Sequence, residues 1–362
     1  MVGCGVVGAA IAYELSQFPD LSITILEKQP LPAQASSGAA LGVLMGAISQ
    51  KARGNNLKMR LFGIQQYNHW IPELEAITDR RIPFNQQGIL RLCFAGDDLE
   101  RWHSLTEIRQ QQGWHLQVCD RFFLATNYPH ISLERVIGAI YSPDDRQVDP
   151  VALTQAMVRA AAQQGATFQF STVVEHLAEL NDAIQIHTSN GLVQADWLVI
   201  AAGLGSTALA IDLQSSVDIR PVLGQALRVQ VPDFVGLPEL QPVITGEDVH
   251  LVPLGHREYW IGATVEFPDA VEQPTTVSLQ PQTEMLQRVM QQAIALFPAL
   301  QSATVLHQWH GLRPRPEGRP APIVEPLPHH SRILLATGHY RNGVLLAPAT
   351  ARKVREMILP LP

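Results

Sequence analysis

Met1-Val2-Gly3-Cys4-Gly5-Val6-Val7-Gly8 opens the chain, and Ala9-Ala10-Ile11-Ala12-Tyr13-Glu14-Leu15 follows it. Glycines 3, 5 and 8 form a G-x-G-x-x-G pattern that leads into an apolar helical run. Gly3 allows a tight turn after a strand, Gly5 lets the backbone approach a pyrophosphate, and Gly8 lets the helix pack closely on the sheet. The start of that helix points free N–H groups and a positive dipole end at phosphates. Leu21-Ser22-Ile23-Thr24-Ile25-Leu26 reads as a second strand. Glu27 closes it, placed to accept from ribose hydroxyls. This order of elements predicts a dinucleotide site. Only Met1 and Val2 precede Gly3, so the first strand is almost absent. The expectation is a truncated start, with weaker cofactor retention or a displaced N-terminus.

Working outward, residues 29–46 are mostly small, with Ser36, Ser37, Gly38, Ala39, Ala40, Leu41 and Gly42 in sequence. Such residues fill little core, so the backbone here is expected to lie along the dinucleotide, with Ser36 and Ser37 bonding phosphate or ribose. Residues 56–77 carry apolar positions at helical spacing, 82–94 hold a strand, and about 97–112 form a helix. Asp149 and Pro150 supply an N-cap and a first-turn proline for an Ala-rich helix over 151–164. Thr167 to Val174 reads as one strand. Residues 183–196 read as a hairpin turning on Asn190-Gly191 in a type I′ turn. Trp197-Leu198-Val199-Ile200-Ala201-Ala202-Gly203 is an apolar run that suits a central parallel strand. From Ile219 to Trp309 the signals are those of an antiparallel sheet with a helix near 281–297, inserted into the nucleotide fold.

The 362 residues allow two domains. The net charge of −7 and the lack of a basic cluster argue against nucleic acid. No apolar run reaches the ~20 residues of a membrane span. Cys4, Cys93 and Cys119 are odd in number and far apart, so neither a disulfide framework nor a metal site is expected, and cytoplasm is the default compartment. An assembly of identical subunits stays open.

The fingerprint, Glu27-Lys28, Ser36-Ser37-Gly38, Ala201-Ala202-Gly203, Gly311-Leu312-Arg313-Pro314 and the run Gly338 to Pro348 resemble, in that order, the FAD-dependent D-amino-acid oxidase family. Within it the chain looks like the glycine oxidase branch of the thiamine-pathway ThiO type. The resemblance covers nearly the whole chain, and G-H-Y-R-N-G-V-L-L-A-P at 338–348 is its most specific motif. It implies an α/β fold (α+β overall): a Rossmann-like FAD-binding domain of glutathione-reductase type plus a mainly antiparallel β-sheet substrate domain. The first would take 1–80, 140–212 and 310–362, the second 81–139 and 213–309. It also implies FAD lined by Gly3, Gly5, Val6, Val7, Gly8, Glu27, Lys28, Ser36, Ser37, Ala40, Leu41, Gly42, Val173, Ala202, Gly203, His339, Tyr340, Arg341, Asn342, Gly343, Val344 and Leu345. No C-terminal cysteine is placed to attach flavin as in sarcosine oxidases, so the FAD should be non-covalent.

The resemblance further implies oxidation of glycine, sarcosine or a small D-amino acid by oxygen, yielding an imine, then a 2-oxo acid, and hydrogen peroxide. Arg313 would clamp the carboxylate, since its planar fork pairs two oxygens. Arg341 is a second candidate for substrate and flavin contact. Glycine oxidases usually carry a tyrosine at the position of His250. The histidine either sits at the pocket edge or lines it, where a partly charged imidazole would attract a second carboxylate. The alternatives are a dehydrogenase of 2-hydroxy acids or N-substituted amino acids with a non-oxygen acceptor, and a flavoprotein without catalytic activity.

Overall fold

The computed structural model describes residues 1–180, 183–268 and 280–359. Parts of the expected domain segments fall on 181–182, 269–279 and 360–362, which lie outside the described residues. Eight helices are found among the described residues: α1 (Val6–Ser16), α2 (Asn55–Thr78), α3 (Leu99–Gln111), α4 (Arg121–Asn127), α5 (Pro150–Gln163), α6 (Ser206–Asp212), α7 (Thr283–Leu296) and α8 (Gly343–Ile358).

A parallel layer is organised around the fingerprint. Thr167–Gln169 pairs with Thr24–Leu26, and Leu198–Ile200 pairs with His330–Thr337, both in parallel. Val2 bridges the two pairs, lying parallel to both Leu26 and Ile200. Its N–H donates to the Val199 carbonyl at 2.9 Å, and its carbonyl accepts from Ala201 N at 2.9 Å. On the other side Leu26 N donates to Met1 O and Gly3 N to Leu26 O, both at 2.9 Å, so residues 1–3 are held in the sheet and not displaced from it. Alternate residues of the central strands enter opposite cores, which is why these strands read as unbroken apolar runs. Val199, Leu334 and Ala336 face the core built by α1, α2, α5 and α8. Leu198, Ile200, Ile333 and Leu335 face Leu177, Ile184 and Ile186 of a three-stranded meander and Leu209 of α6.

Two local expectations change. The run from Thr167 breaks at Ser171, whose φ of 52° turns the chain, so Val174–Glu179 joins the meander instead. The hairpin pairs Thr188 with Gly191, which makes Ser189-Asn190 the two-residue loop. Gly191 alone carries a positive φ there, so the turn is not type I′.

The second sheet has eight strands, ordered Thr304–Pro316, Ile219–Gln230, Glu258–Gly262, Val249–Gly255, Val243–Gly246, Ile89–Phe94, Val136–Ser142 and Gln117–Cys119. Only the pairing of Val243–Gly246 with Ile89–Phe94 is parallel. Leu286, Val289, Ala293 and Leu296 of α7 cover one face. Trp102 and Leu105 of α3 pack on the other, beside Leu41 and Ile48.

The small-residue stretch runs between the two sheets, and two buried charges fix its end. Asp145 accepts from Gly46 N, Ala47 N and Ile48 N at 2.7, 2.9 and 2.8 Å. Arg109, with no exposed surface, donates to the carbonyls of Ala47, Ser49 and Lys51 at 2.8, 2.8 and 2.6 Å. One charge thus takes the amides of the loop and the other its carbonyls, and each offsets the other's burial. Asp145→Ala leaves three amides without partners and Arg109 without its counter-charge. Chemical denaturation should show a loss of about 3 kcal/mol or more; a loss below about 1 kcal/mol would show that the clamp carries little.

Candidate active site

The turn after Val2 closes only because side chains are missing. Gly3 has φ of 100°, and a Cβ there would stand 2.6 Å from the Ala201 carbonyl oxygen. A Cβ at Gly8 would stand 2.0 Å from Gly3 O, so α1 presses directly on the turn. Gly5 caps α1 without any side-chain hydrogen bond, leaving its positive end to the cavity. Val6 N donates to Ser37 Oγ at 2.9 Å, so a hydroxyl oxygen already stands where an anion would bind. Glu27 accepts from Cys4 N through Oε2 at 2.7 Å and from Gln29 N through Oε1 at 2.9 Å. Its carboxylate ties the second strand to the turn and keeps further lone pairs free. The Ser36 hydroxyl donates to Leu312 O at 2.6 Å, which ties this stretch to the strand of Arg313.

A cavity of about 530 Å³ runs from this turn to the large sheet. Gly3, Gly5, Val6, Val7, Glu27, Lys28, Ser36, Ser37, Ala40, Leu41 and Gly42 form one side of it. Ala202, Gly203, His339, Tyr340, Arg341, Gly343, Val344 and Leu345 form another, with Arg313 and His250 at the sheet end. Three expected residues stand outside the wall. Gly8 packs against Gly3. Val173 is exposed, its N–H bonded to Ser189 Oγ. Asn342 is the N-cap of α8, its N–H bonded to His339 O. Gly224, Ala226, Ala263, His310 and Gly311 line the cavity too. The sequence reading missed them as site residues; glycines inside strands were the available signal.

At the sheet end, Arg313 and Val222 are partners across two paired strands. The guanidinium lies flat over the next glycine: a Cβ at Gly224 would stand 2.1 Å from Nη2 and 2.4 Å from Cζ. Arg313 Nη1 donates to Leu223 O at 3.0 Å, and no carboxylate bonds the side chain among the described residues. Burial lowers its pKa, and the Arg341 charge lowers it further. Arg341 makes a 3.9 Å contact with Asp248 at the cavity mouth.

His250 lines the cavity, and its Nδ1 is shut away without a partner among the described residues. Burial and then Arg341 push its pKa down to about 4; Asp248 opposes them, and Arg313 adds to the lowering. At neutral pH the ring is uncharged. This corrects the expectation of a partly charged imidazole: two neighbouring cations and a dry wall disfavour the proton.

The start of α8 is fixed from several sides. His339, buried and pushed down to about 4 by desolvation, bonds Thr350 Oγ1 through Nε2 at 2.8 Å. The Tyr67 hydroxyl donates to Val344 O at 2.5 Å. A Cβ at Gly63 would stand 2.0 Å from Leu345 O, so α2 lies hard against α8. No side chain caps α8, and Gly343, Val344 and Leu345 face the cavity.

Two helix N-termini at the cavity, that of α1 met only by the Ser37 hydroxyl and that of α8 uncapped, with a glycine turn that a Cβ would block, fit an extended dinucleotide such as FAD, with an arginine-floored pocket at the far end. These features define a nucleotide-dependent oxidoreductase. A family model described as FAD dependent oxidoreductase (DAO) matches residues 1–357, and the chain belongs to that family. It is similar to the bifunctional protein ThiO/ThiG of Synechocystis sp., 33% identical over 99% of this chain and 51% of that protein. The chain therefore spans about half the length of that relative. It is also similar to glycine oxidase of Bacillus subtilis, 28% identical over 99% of this chain and 92% of that one. Among solved structures, glycine oxidase from Geobacillus kaustophilus superposes with a TM-score of 0.87 at 27% identity, covering 99% of this chain and 93% of that one. No helix among the described residues is long and apolar enough to cross a membrane.

Two measurements probe this geometry. Gly224→Ala should displace the Arg313 guanidinium and raise KM for a carboxylate substrate about tenfold or more, a loss of about 1.4 kcal/mol in binding; an unchanged KM would mean that the guanidinium does not depend on that floor. The second concerns pH. The folded pKa of His339 is about 4 against 6.5 for the free group. Between those values the unfolded chain holds the extra proton, so stability rises with pH and is lost as pH falls from 6.5 towards 4. The slope is up to about 1.4 kcal/mol per pH unit. Urea midpoints from pH 5 to 7 should climb less steeply in His339→Asn; parallel slopes would contradict the assignment.

Proposed function

We propose that this chain oxidises a small amino acid, such as glycine, sarcosine or a D-amino acid, to an imine that hydrolyses to a 2-oxo acid, with hydrogen peroxide as co-product. The observation that carries the reading is Arg313: a half-buried guanidinium on a glycine floor, lining the cavity and bonded to no carboxylate among the described residues. Such a group is an open site for a substrate carboxylate, held through two parallel N–H···O bonds.

FAD, when bound, supplies the two-electron acceptor that takes hydride from the substrate Cα and passes the electrons to oxygen. The side chains bind, orient and set protonation. The positive charges of Arg313 and Arg341 favour the neutral amine, whose lone pair must be free for Cα to lose hydride. The uncapped start of α8 offers backbone N–H groups to negative charge developing in the cavity. No strong base is needed, which agrees with the neutral His250. Cys4, Cys93 and Cys119 are buried and none lines the cavity, which favours a non-covalent FAD. A division into an FAD-binding and a substrate-binding domain belongs to the same reading; the bounds at 140 and 310 would cut the strands Val136–Ser142 and Thr304–Pro316, which lie whole in the eight-stranded sheet.

Arg313→Ala should retain FAD yet lose about 100-fold or more in kcat/KM, and Arg313→Lys should not restore it because a point charge replaces a fork. Anaerobic bleaching of the flavin by an amino-acid panel, with peroxide measured on readmission of air, tests the reaction itself. Bleaching by 2-hydroxy acids alone, or electron transfer to dyes without peroxide, would overturn the reading.

A further inference from the structure

One carboxylate needs one cation, and the substrate end of the cavity offers two. Arg313 and Arg341 both line it. Arg313 has no ion pair among the described residues. Among the described residues, Arg341 has only the 3.9 Å contact with Asp248, whose side chain is 85% exposed. A pair of that length in water is worth about 0–1 kcal/mol, so a better anion would replace it readily. Asp248 sits on the turn between Val243–Gly246 and Val249–Gly255 and does not line the cavity.

Among the described residues, no other group balances the two charges. Glu266 acts on Arg313 at a distance, but its carboxylate is occupied by Gln225 Nε2, Thr264 Oγ1 and Gln282 N, and it is not part of the wall. Glu27 lies at the opposite end, bonded to Cys4 N and Gln29 N. His250 is neutral and adds no charge. The guanidiniums of Arg313 and Arg341 are close enough that Arg341 lowers the pKa of Arg313. Two like charges facing one pocket favour an anion on each. Ala226 and Ala263 give the wall there only methyl side chains, in a cavity of about 530 Å³ that exceeds a single carboxylate.

We propose that the substrate is an amino acid carrying a second carboxylate, one carboxylate on Arg313 and the other reaching Arg341 in place of Asp248. The inference rests on the amino-acid oxidase reading and narrows its substrate class. The chemistry is unchanged: the Cα–H bond breaks, two electrons leave to oxygen through the cofactor, and water completes hydrolysis of the imine. D-Aspartate would give the 2-oxo dicarboxylate and ammonia; iminodiacetate would give glyoxylate and glycine.

The test uses the FAD-loaded protein. Calorimetric titration should show the unreactive dianion malonate binding tenfold or more tighter than acetate. In turnover, kcat/KM for D-aspartate or iminodiacetate should exceed that for D-alanine and glycine at least tenfold. Arg341→Gln should collapse that ratio towards one. Asp248→Asn removes only the competitor, so it should lower KM for the dicarboxylates several-fold and leave D-alanine and glycine unchanged. Equal binding of malonate and acetate, a preference for the monocarboxylates, or equal losses for both classes in Arg341→Gln would overturn the proposal. If none of the four amino acids reduces the flavin, the amino-acid reading falls; a malonate preference would still support the paired-arginine site, and its absence would remove that too.

Discussion

The site depends on backbone brought into contact where a side chain would stand. A Cβ at Gly8 would meet Gly3 O at 2.0 Å, one at Gly63 would meet Leu345 O at 2.0 Å, and one at Gly224 would meet the Arg313 guanidinium at 2.1 Å. The first contact sets α1 on the turn, the second sets α8 against α2, and the third lays the cation on the sheet. Helix dipoles and cations act over short range, so sub-ångström placement decides whether their charge reaches the cavity. Opening any of these contacts by the width of a methyl would move a binding group while leaving the fold intact.

Charge is distributed to the same end. The chain is net negative, at −7, yet the cavity is met by two helix N-termini and by Lys28, Arg313 and Arg341. The negative groups near it are engaged: Glu27 by two backbone amides, Glu266 by Gln225, Thr264 and Gln282, and Asp145 by the amides of 46–48. An acidic protein thus presents a positive interior to anionic ligands, and His250, buried beside the cations, stays uncharged. The many chemistries hosted by shared folds mean that this local charge pattern, rather than the sheet order, must choose the substrate.

What could be read from the sequence were features with short-range causes. The glycine fingerprint, the Asp149 cap with Pro150, the two-faced strand at 198–200 and the terminal run around Arg341 each state their structure within a few residues. The wall of small residues at 35–43 was also legible, because small side chains imply close approach. Other features arise from partners far apart in sequence and had no local signature. Nothing near Arg109 announces that it holds carbonyls 58 to 62 residues earlier, nor near Gly224 that it carries Arg313. The charge on His250 was misjudged for the same reason, since the cations that suppress it come from strands and a helix start brought together only by folding. The hairpin loop moved by one residue because strand register, rather than the Asn-Gly pair alone, selects which two residues turn.

The central claim is that a substrate carboxylate sits on Arg313 above Gly224. A crystal structure of the FAD-loaded protein with an unreactive carboxylate such as acetate tests it most directly. The account predicts two N–H···O contacts from the Arg313 guanidinium to the two carboxylate oxygens, at about 2.7–2.9 Å. A carboxylate bound elsewhere in the cavity, with Arg313 turned to a group of the chain itself, would contradict it.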